Sequence, residues 1–157
     1  MRRLHRRRQA PKKGPIRIFE RSYLDVSDRR VCTRLTHDEP GAQPLVNAIV
    51  VSIIEQFSRF VQRLRAVPEG DGTLLDHTVV LGTSDTSFGR THALTDYPVI
   101  LAGSACGVLR TGLHHRTVPG DNASKLGLTL LRAMDLRAES FGVGEARADT
   151  TIGDIEV

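Results

Sequence analysis

The sequence has no tryptophan and only two cysteines, and aromatic residues make up 4% of it. Cys32 and Cys106 lie far apart and belong to no CxxC or Cys/His spacing, so the chain has neither a disulfide framework nor a zinc finger. With so few aromatic side chains, any core must be mostly aliphatic. We therefore expect both cysteines to be partly buried free thiols.

Long apolar runs are also missing. No unbroken apolar stretch approaches the roughly 18–20 residues that span a bilayer, so the sequence predicts no transmembrane segment. The N-terminus, MRRLHRRRQAPKKGPIRIF, carries the charges of a signal peptide but no apolar stretch after them. It predicts no secretion signal.

The net positive charge of the chain comes from its N-terminal end. Residues 1–30 hold 11 Lys and Arg against 3 acids, a balance of +8, whereas residues 31–157 hold the other 11 against 15 acids, a balance of −4. We predict a basic, disordered tail over residues 1–28 and one domain over residues 29–157. The tail could contact nucleic acid or an anionic membrane, but it has no aromatic residue before Phe19 on which bases could stack. We favour a solvated extension.

Periodicity predicts a small number of elements. Apolar residues recur every three or four positions from Leu45 to Val67, which predicts a helix whose apolar first half is deeply buried. The β-branched runs 77–83 and 97–102 are typical of strands covered on both faces. Residues 109–118 are a candidate antiparallel pair, and a second helix, capped by Asp121 or Asn122, runs to about Met134. The predicted fold class is α/β. Strands covered on both faces need helices on both faces, and two helices are too few to cover them, which suggests that the chain is part of a larger protein.

The richest polar segment lies between the two predicted strands. It contains Asp85, Arg90 and His92, and the carboxyl end of an apolar strand is where open α/β sheets place their ligand sites. Carboxylate and imidazole groups suit zinc or manganese. The alternatives stay open, since Asp85 could instead form an Asx turn and a loop histidine is often only solvated. His37, just before the long helical segment, has the same alternative.

From Pro68 to Gly112 the chain resembles the bacterial HXXSHH family, a domain of unknown function related to the alkaline-phosphatase-like superfamily. The matching residues are PEGDGTLLDHTVV, the TSD that ends the first strand, His92 and YPVILAGSACGVLRTG, followed by DNASKLGLTLLRAMDL and ESFGVGE. The resemblance covers about residues 30–157. It implies part of an alkaline-phosphatase-like sheet with helices packed on it, and an exported protein.

The resemblance also implies a metal site, but a depleted one. In that superfamily two metal ions hold a phosphate or sulfate ester. The segment in the place of the family's name motif reads TRLTHD here and keeps only His37 of its histidines, while the D-H pair reads Asp85-Thr86. His92 falls where a late histidine belongs. The three residues could hold at most one divalent zinc or manganese ion, with Arg90 as an anion contact.

The implied function is therefore a truncated relative of metal-dependent phosphate or sulfate ester hydrolases. It lacks the nucleophile and several ligands, so we expect it to be inactive alone, with an anionic small molecule as its ligand. We expect the missing N-terminal portion or a second copy to cover the sheet. The alternative is a non-catalytic binding or interaction protein, in which the basic tail makes any contact with nucleic acid or anionic surfaces.

Overall fold

The computed structural model describes residues 35–38 and 40–157. The predicted basic tail, residues 1–28, lies outside these residues, as does Cys32. In chain order the elements are a long helix (Pro44–Arg65), β1 (Pro68–Glu69), β2 (Gly72–Thr73), β3 (Val80–Thr83), β4 (Val99–Ala102), a short helix (Ser124–Ala133) and two 3-10 turns (Gly144–Ala146 and Gly153–Ile155). Residues 35–38 are also helical. The chain divides into two compact units, with the boundary between Ser52 and Ile53.

The long helix confirms the helix predicted from the apolar spacing, to within two residues at each end. Arg63 and Arg65 lie in its last turn, where a cation stabilises the negative end of the helix dipole. The predicted deep burial of its first half is wrong. Ser52 is its only buried residue, while Val50 is 49% exposed and Ile53 56% exposed. Apolar spacing identifies a helix, but burial also requires a second element to pack against it.

By length and composition alone, the long helix could also cross a membrane, and it is the one helix among the described residues that could. The prediction of no transmembrane segment rested on the lack of an unbroken apolar run, and Glu55 and Arg59 do interrupt this helix. A single such helix is weak evidence for a membrane span.

The two predicted strands form an antiparallel pair, β3 and β4, in which Val80 lies opposite Ala102 and Thr83 opposite Val99. Burial on both faces was also predicted, and it is wrong, because Leu81 is 46% exposed and Ile100 41% exposed. Helices and small antiparallel sheets therefore coexist in this chain. Gly82 lies under the Phe57 ring, which a Cβ at that position would meet at 3.0 Å, so the long helix packs against one side of the pair.

Most of the buried residues lie towards the C-terminus. The short helix contributes Leu128 and Thr129, both with no exposed surface, and Leu109, Ala148 and Ile155 are buried as well. The predicted antiparallel pair over 109–118 is wrong. Leu109 instead forms a β-bridge with Glu156, and the Arg110 N–H donates to the Ile155 carbonyl at 2.9 Å. A distant segment thus satisfies the backbone groups that a local hairpin would have paired.

The start of the short helix agrees with its sequence signal. The Asn122 side-chain oxygen accepts the Ser124 N–H at 2.9 Å, and Lys125 contacts Asp121 at 2.7 Å. Further along, Gly127 is required by close packing, because a Cβ there would lie 2.5 Å from the Phe141 ring. Phe141 is itself held by a β-bridge to Ala148. The short helix is thereby fixed against the C-terminal segment.

Candidate functional site

The predicted site residues Asp85, Arg90 and His92 lie in the segment that joins β3 to β4. Thr83 closes the base of this segment, since its hydroxyl is 3.1 Å from the Pro98 carbonyl oxygen, to which it donates. Because the strands are antiparallel, the end of β3 and the start of β4 lie at the same edge. The segment is therefore a long hairpin connection. The site was predicted at the carboxyl edge of an open α/β sheet. In this antiparallel pair, the edge instead holds the carboxyl end of one strand and the amino end of the other.

Asp85 is exposed and follows the last residue of β3 by two positions. The local turn at this point is closed by a different side chain, because the Thr86 N–H donates to the Ser84 hydroxyl oxygen at 3.4 Å. Asp85 is thus accessible to solvent on the connection, as a metal ligand would need to be. Its ligand role stays a prediction.

A tight turn orders the middle of the connection. The Ser87 N–H donates to the Ala93 carbonyl at 2.8 Å, and the Ala93 N–H donates back to Phe88 at 3.2 Å. The Ser87 hydroxyl also donates to the Ala93 carbonyl, at 3.1 Å. This hydroxyl therefore stabilises the turn.

His92 occupies a strained position in that turn. Its φ of +52° lies in the left-handed region, which costs a non-glycine residue about 1 kcal/mol. Its N–H donates to the Gly89 carbonyl at 3.4 Å. Both His92 and Arg90 are exposed on the same short turn. These two predicted residues are two positions apart on the connection, and both are accessible to solvent.

His37 belongs to the helical residues 35–38 and is half-buried. It lies in a different compact unit from Asp85 and His92. Within residues 35–38 and 40–157, no group of three or more His, Cys, Asp or Glu side chains is placed to hold a metal ion. The site of His37, Asp85 and His92, with a single zinc or manganese ion, stays a prediction.

The loop from Gly103 to Gly107, termed the cysteine loop below, has backbone N–H groups of the kind that can bind an anion. Three of these amides are already used. Ala105 donates to the Thr78 carbonyl at 3.4 Å, Cys106 donates to Asp76 at 2.8 Å, and Gly107 donates to the Ser104 hydroxyl at 3.2 Å. The amides of residues 105, 106 and 107 are therefore not free to bind an anion. Gly103 is required in it, because its φ is +94° and a Cβ would overlap the Thr78 carbonyl.

One contact was not predicted from the sequence. Cys106 was expected to be partly buried, but it is an exposed free thiol, and its side chain contacts that of His77. They are separated by 29 positions, so no local spacing reveals them. The available signal was weak: a histidine just before β3 and a cysteine in a glycine-bounded turn just after β4.

Comparison with known proteins adds no relative: neither a protein-family model, nor a curated protein, nor a solved structure matches this chain.

Proposed function

We propose that this chain is the C-terminal portion of an HXXSHH-type protein, built on part of an alkaline-phosphatase-like α/β sheet and inactive alone as an ester hydrolase. The linked motifs from Pro68 to the ESFGVGE segment support the family assignment. The same resemblance supports an exported protein. In this proposal the connection between β3 and β4 keeps a remnant of an anion or single-metal site, made of His37, Asp85 and His92 with Arg90 beside them.

The observation that carries the proposal is the exposure of an apolar strand pair. Leu81, Val99 and Ile100 are each between 38% and 46% exposed, although strands of this composition are normally covered on both faces. Burying a side chain of this size stabilises a protein by about 1.5–3 kcal/mol. Exposed apolar side chains of this kind are expected where further strands or helices of a larger protein would cover the pair.

The absence of catalysis follows from the number of ligands. Two-metal ester hydrolysis needs two ions about 3.5–4 Å apart, which hold the attacking and leaving oxygens. Three side chains provide at most one incomplete site. The Ser87 hydroxyl, which belongs to the serine nearest to His92 in sequence, donates to the Ala93 carbonyl. One ion held in such a site would bind an anion without cleaving it.

Metal analysis tests the remnant site. The purified full chain is equilibrated with zinc or manganese and freed of excess ion, and we expect up to one ion per chain. Asp85→Asn and His92→Ala should each abolish retention, because either change leaves at most two ligands. His114→Ala is the matched control, since it removes an exposed imidazole outside the connection. Equal retention in all four proteins, or none in the unmodified chain, would refute the site.

An activity assay tests the catalytic half of the proposal separately. With nitrophenyl phosphate or nitrophenyl sulfate and added metal, we expect turnover no faster than that of buffer. Turnover by the unmodified chain that disappears in Asp85→Asn would overturn the expectation of inactivity while leaving the metal site intact.

A second candidate function is a non-catalytic interaction protein, and the long helix favours it. Val50 and Ile54 are four residues apart, which places them on one helix face, and they are 49% and 43% exposed. In this reading a second copy of the chain covers that face. Sedimentation across a wide concentration range should show self-association that Val50→Gln with Ile54→Gln weakens and Gln56→Ala does not. A monomer at every concentration would exclude this candidate.

A further inference from the structure

The His77 ring is held by both of its nitrogens. Nε2 lies 3.2 Å from the Glu69 carbonyl oxygen, and Nδ1 lies 3.3 Å from the Cys106 sulfur. A carbonyl oxygen can only accept a hydrogen bond, so Nε2 must carry a proton and donate it. In the neutral ring Nδ1 is then the unprotonated nitrogen. It is therefore the thiol of Cys106 that donates to Nδ1.

This is the arrangement of an activated nucleophile: a thiol, a base within hydrogen-bond reach, and a third group that orients the base. The orienting carbonyl belongs to β1, which pairs with β2 in a short hairpin. The Leu74 N–H donates to the Val67 carbonyl at 2.8 Å and extends that hairpin by one step. The position of the ring is thus fixed by backbone structure.

The cysteine loop presents the thiol from the other side. The Cys106 N–H donates to the Asp76 carbonyl at 2.8 Å, and the Ser104 hydroxyl donates to the same oxygen at 3.0 Å. The residue next to His77 therefore anchors the loop that contains Cys106. Ala105, Cys106 and Gly107 all have positive φ, at 47°, 60° and 85°. Such strain at a non-glycine residue persists only where the surroundings fix it, and it is frequent at functional sites.

The loop also limits the chemistry that the thiol could perform. Acyl transfer passes through an oxyanion, which needs free N–H donors aimed at it. The amides of residues 105, 106 and 107 already donate within the protein. A direct displacement at sulfur builds up no oxyanion and needs no such donors. A metal role is not supported either, because no third ligand accompanies the pair among residues 35–38 and 40–157.

We propose that Cys106 is a modification site for small disulfides, with His77 as the base that activates it. As the thiol proton passes to Nδ1 of His77, the sulfur attacks one sulfur of the disulfide, and a new S–S bond forms while the old one breaks. The leaving sulfur takes a proton and departs as a thiol. Cys106 remains as a mixed disulfide on an exposed surface. This proposal is independent of the function proposed above.

The test uses the full chain with Cys32→Ser, in which Cys106 is the only cysteine. Dithiodipyridine is a suitable probe, because it is an uncharged small disulfide and releases a coloured thione. An unassisted thiol is only a few per cent ionised at neutral pH, and the gain from a base is partly offset by weaker nucleophilicity, so His77→Gln should slow the reaction by about fivefold near pH 7. At high pH, where thiols ionise without help, the difference should vanish.

Two controls separate activation from folding. His114→Ala removes a different imidazole and should react as fast as the parent, and in denaturant all variants should react at one rate. Circular dichroism and thermal unfolding establish that His77→Gln is folded. Oxidised glutathione should also add one mixed disulfide per chain, detected by mass. Equal rates for folded parent and His77→Gln near neutral pH, or a parent rate equal to that in denaturant, would overturn the proposal.

Discussion

Residues 53–102 and residues 103–157 differ in how much of their surface is buried. The first region contains most of the long helix and all four strands, yet none of its residues, all of which the structure describes, is buried. The second region contains one short helix, two 3-10 turns and irregular segments, but it holds all but one of the buried residues of the described chain: Ala105, Leu109, Leu128, Thr129, Ala148 and Ile155. Most of the regular secondary structure and most of the buried residues thus lie in different regions.

This difference shows that apolar content and burial are separate properties. Leu81 in β3 and Leu128 in the short helix are the same residue type in regular elements, but one is 46% exposed and the other has no exposed surface. The short helix is enclosed because the chain returns to it from the C-terminus, through Thr129 and Ile152. In the strand pair, the Phe57 ring covers Gly82, but the side chains of Leu81, Val99 and Ile100 are exposed.

The largest expected effect is at Leu128. Leu128→Ala removes a fully enclosed side chain and should lower the free energy of unfolding by about 3 kcal/mol, whereas Leu81→Ala should lower it by less than about 1 kcal/mol, because water already reaches Leu81. Chemical denaturation of both variants measures the two losses. Equal losses of unfolding free energy in the two variants would contradict the difference in burial between the two regions.

A smaller effect is expected at Thr129, whose hydroxyl joins two segments. It donates to the Lys125 carbonyl at 2.8 Å and accepts the Ile152 N–H at 2.9 Å. Thr129→Val keeps the shape but removes the acceptor, and should cost about 1–3 kcal/mol.

Hydrogen exchange sharpens this prediction. The Ile152 amide should exchange faster in Thr129→Val and at nearly the parent rate in Thr129→Ser, which keeps the hydroxyl. Unchanged protection of that amide in Thr129→Val would show that the bond does not fix the C-terminal segment.

The smallest effects are expected from two carboxylates, one in each region. Hydrogen bonds from the Thr73 hydroxyl and N–H lower the pKa of Asp76 below its ordinary 3.8. The Lys125 ammonium, followed by the Asn122 N–H, lowers the pKa of Asp121 below the same value. A carboxyl whose pKa is lower in the folded state stabilises the fold above the unfolded pKa, and this stabilisation is lost as the pH falls through the folded pKa.

Asp76→Asn and Asp121→Asn should therefore each reduce the difference in stability between about pH 6 and about pH 3, since the asparagine does not titrate. Urea unfolding at both pH values measures this. A full acid dependence in Asp76→Asn would show that its contacts with Thr73 do not favour folding.

Local signals predicted local structure well. The apolar spacing located the long helix, the β-branched runs located β3 and β4, and the Asn122 signal located the start of the short helix. These features depend on residues within a few positions of one another. The local pattern could not predict the Leu109–Glu156 bridge, because its partners are distant in the chain.

For the candidate site, too, the sequence predicted residues that are close together in the chain but not contacts between distant ones. The sequence placed Asp85 and His92 in one polar connection, and the structure agrees. It also suggested His37 as a third ligand from the family resemblance, and only metal analysis can test that grouping. His77 and Cys106 were missed because their contact requires β1, the turn at Asp76 and the cysteine loop to assemble first.

The sequence by itself determined the approximate positions of the two helices and of β3 and β4, because these depend on side-chain spacing and turn residues along a short stretch of chain. The tertiary structure decided which apolar surfaces are enclosed, the antiparallel direction of β3 and β4, and the contact between His77 and Cys106. Each of these depends on the meeting of residues far apart in sequence. Such long-range contacts depend on the packing free energy of the whole fold, which no single segment determines.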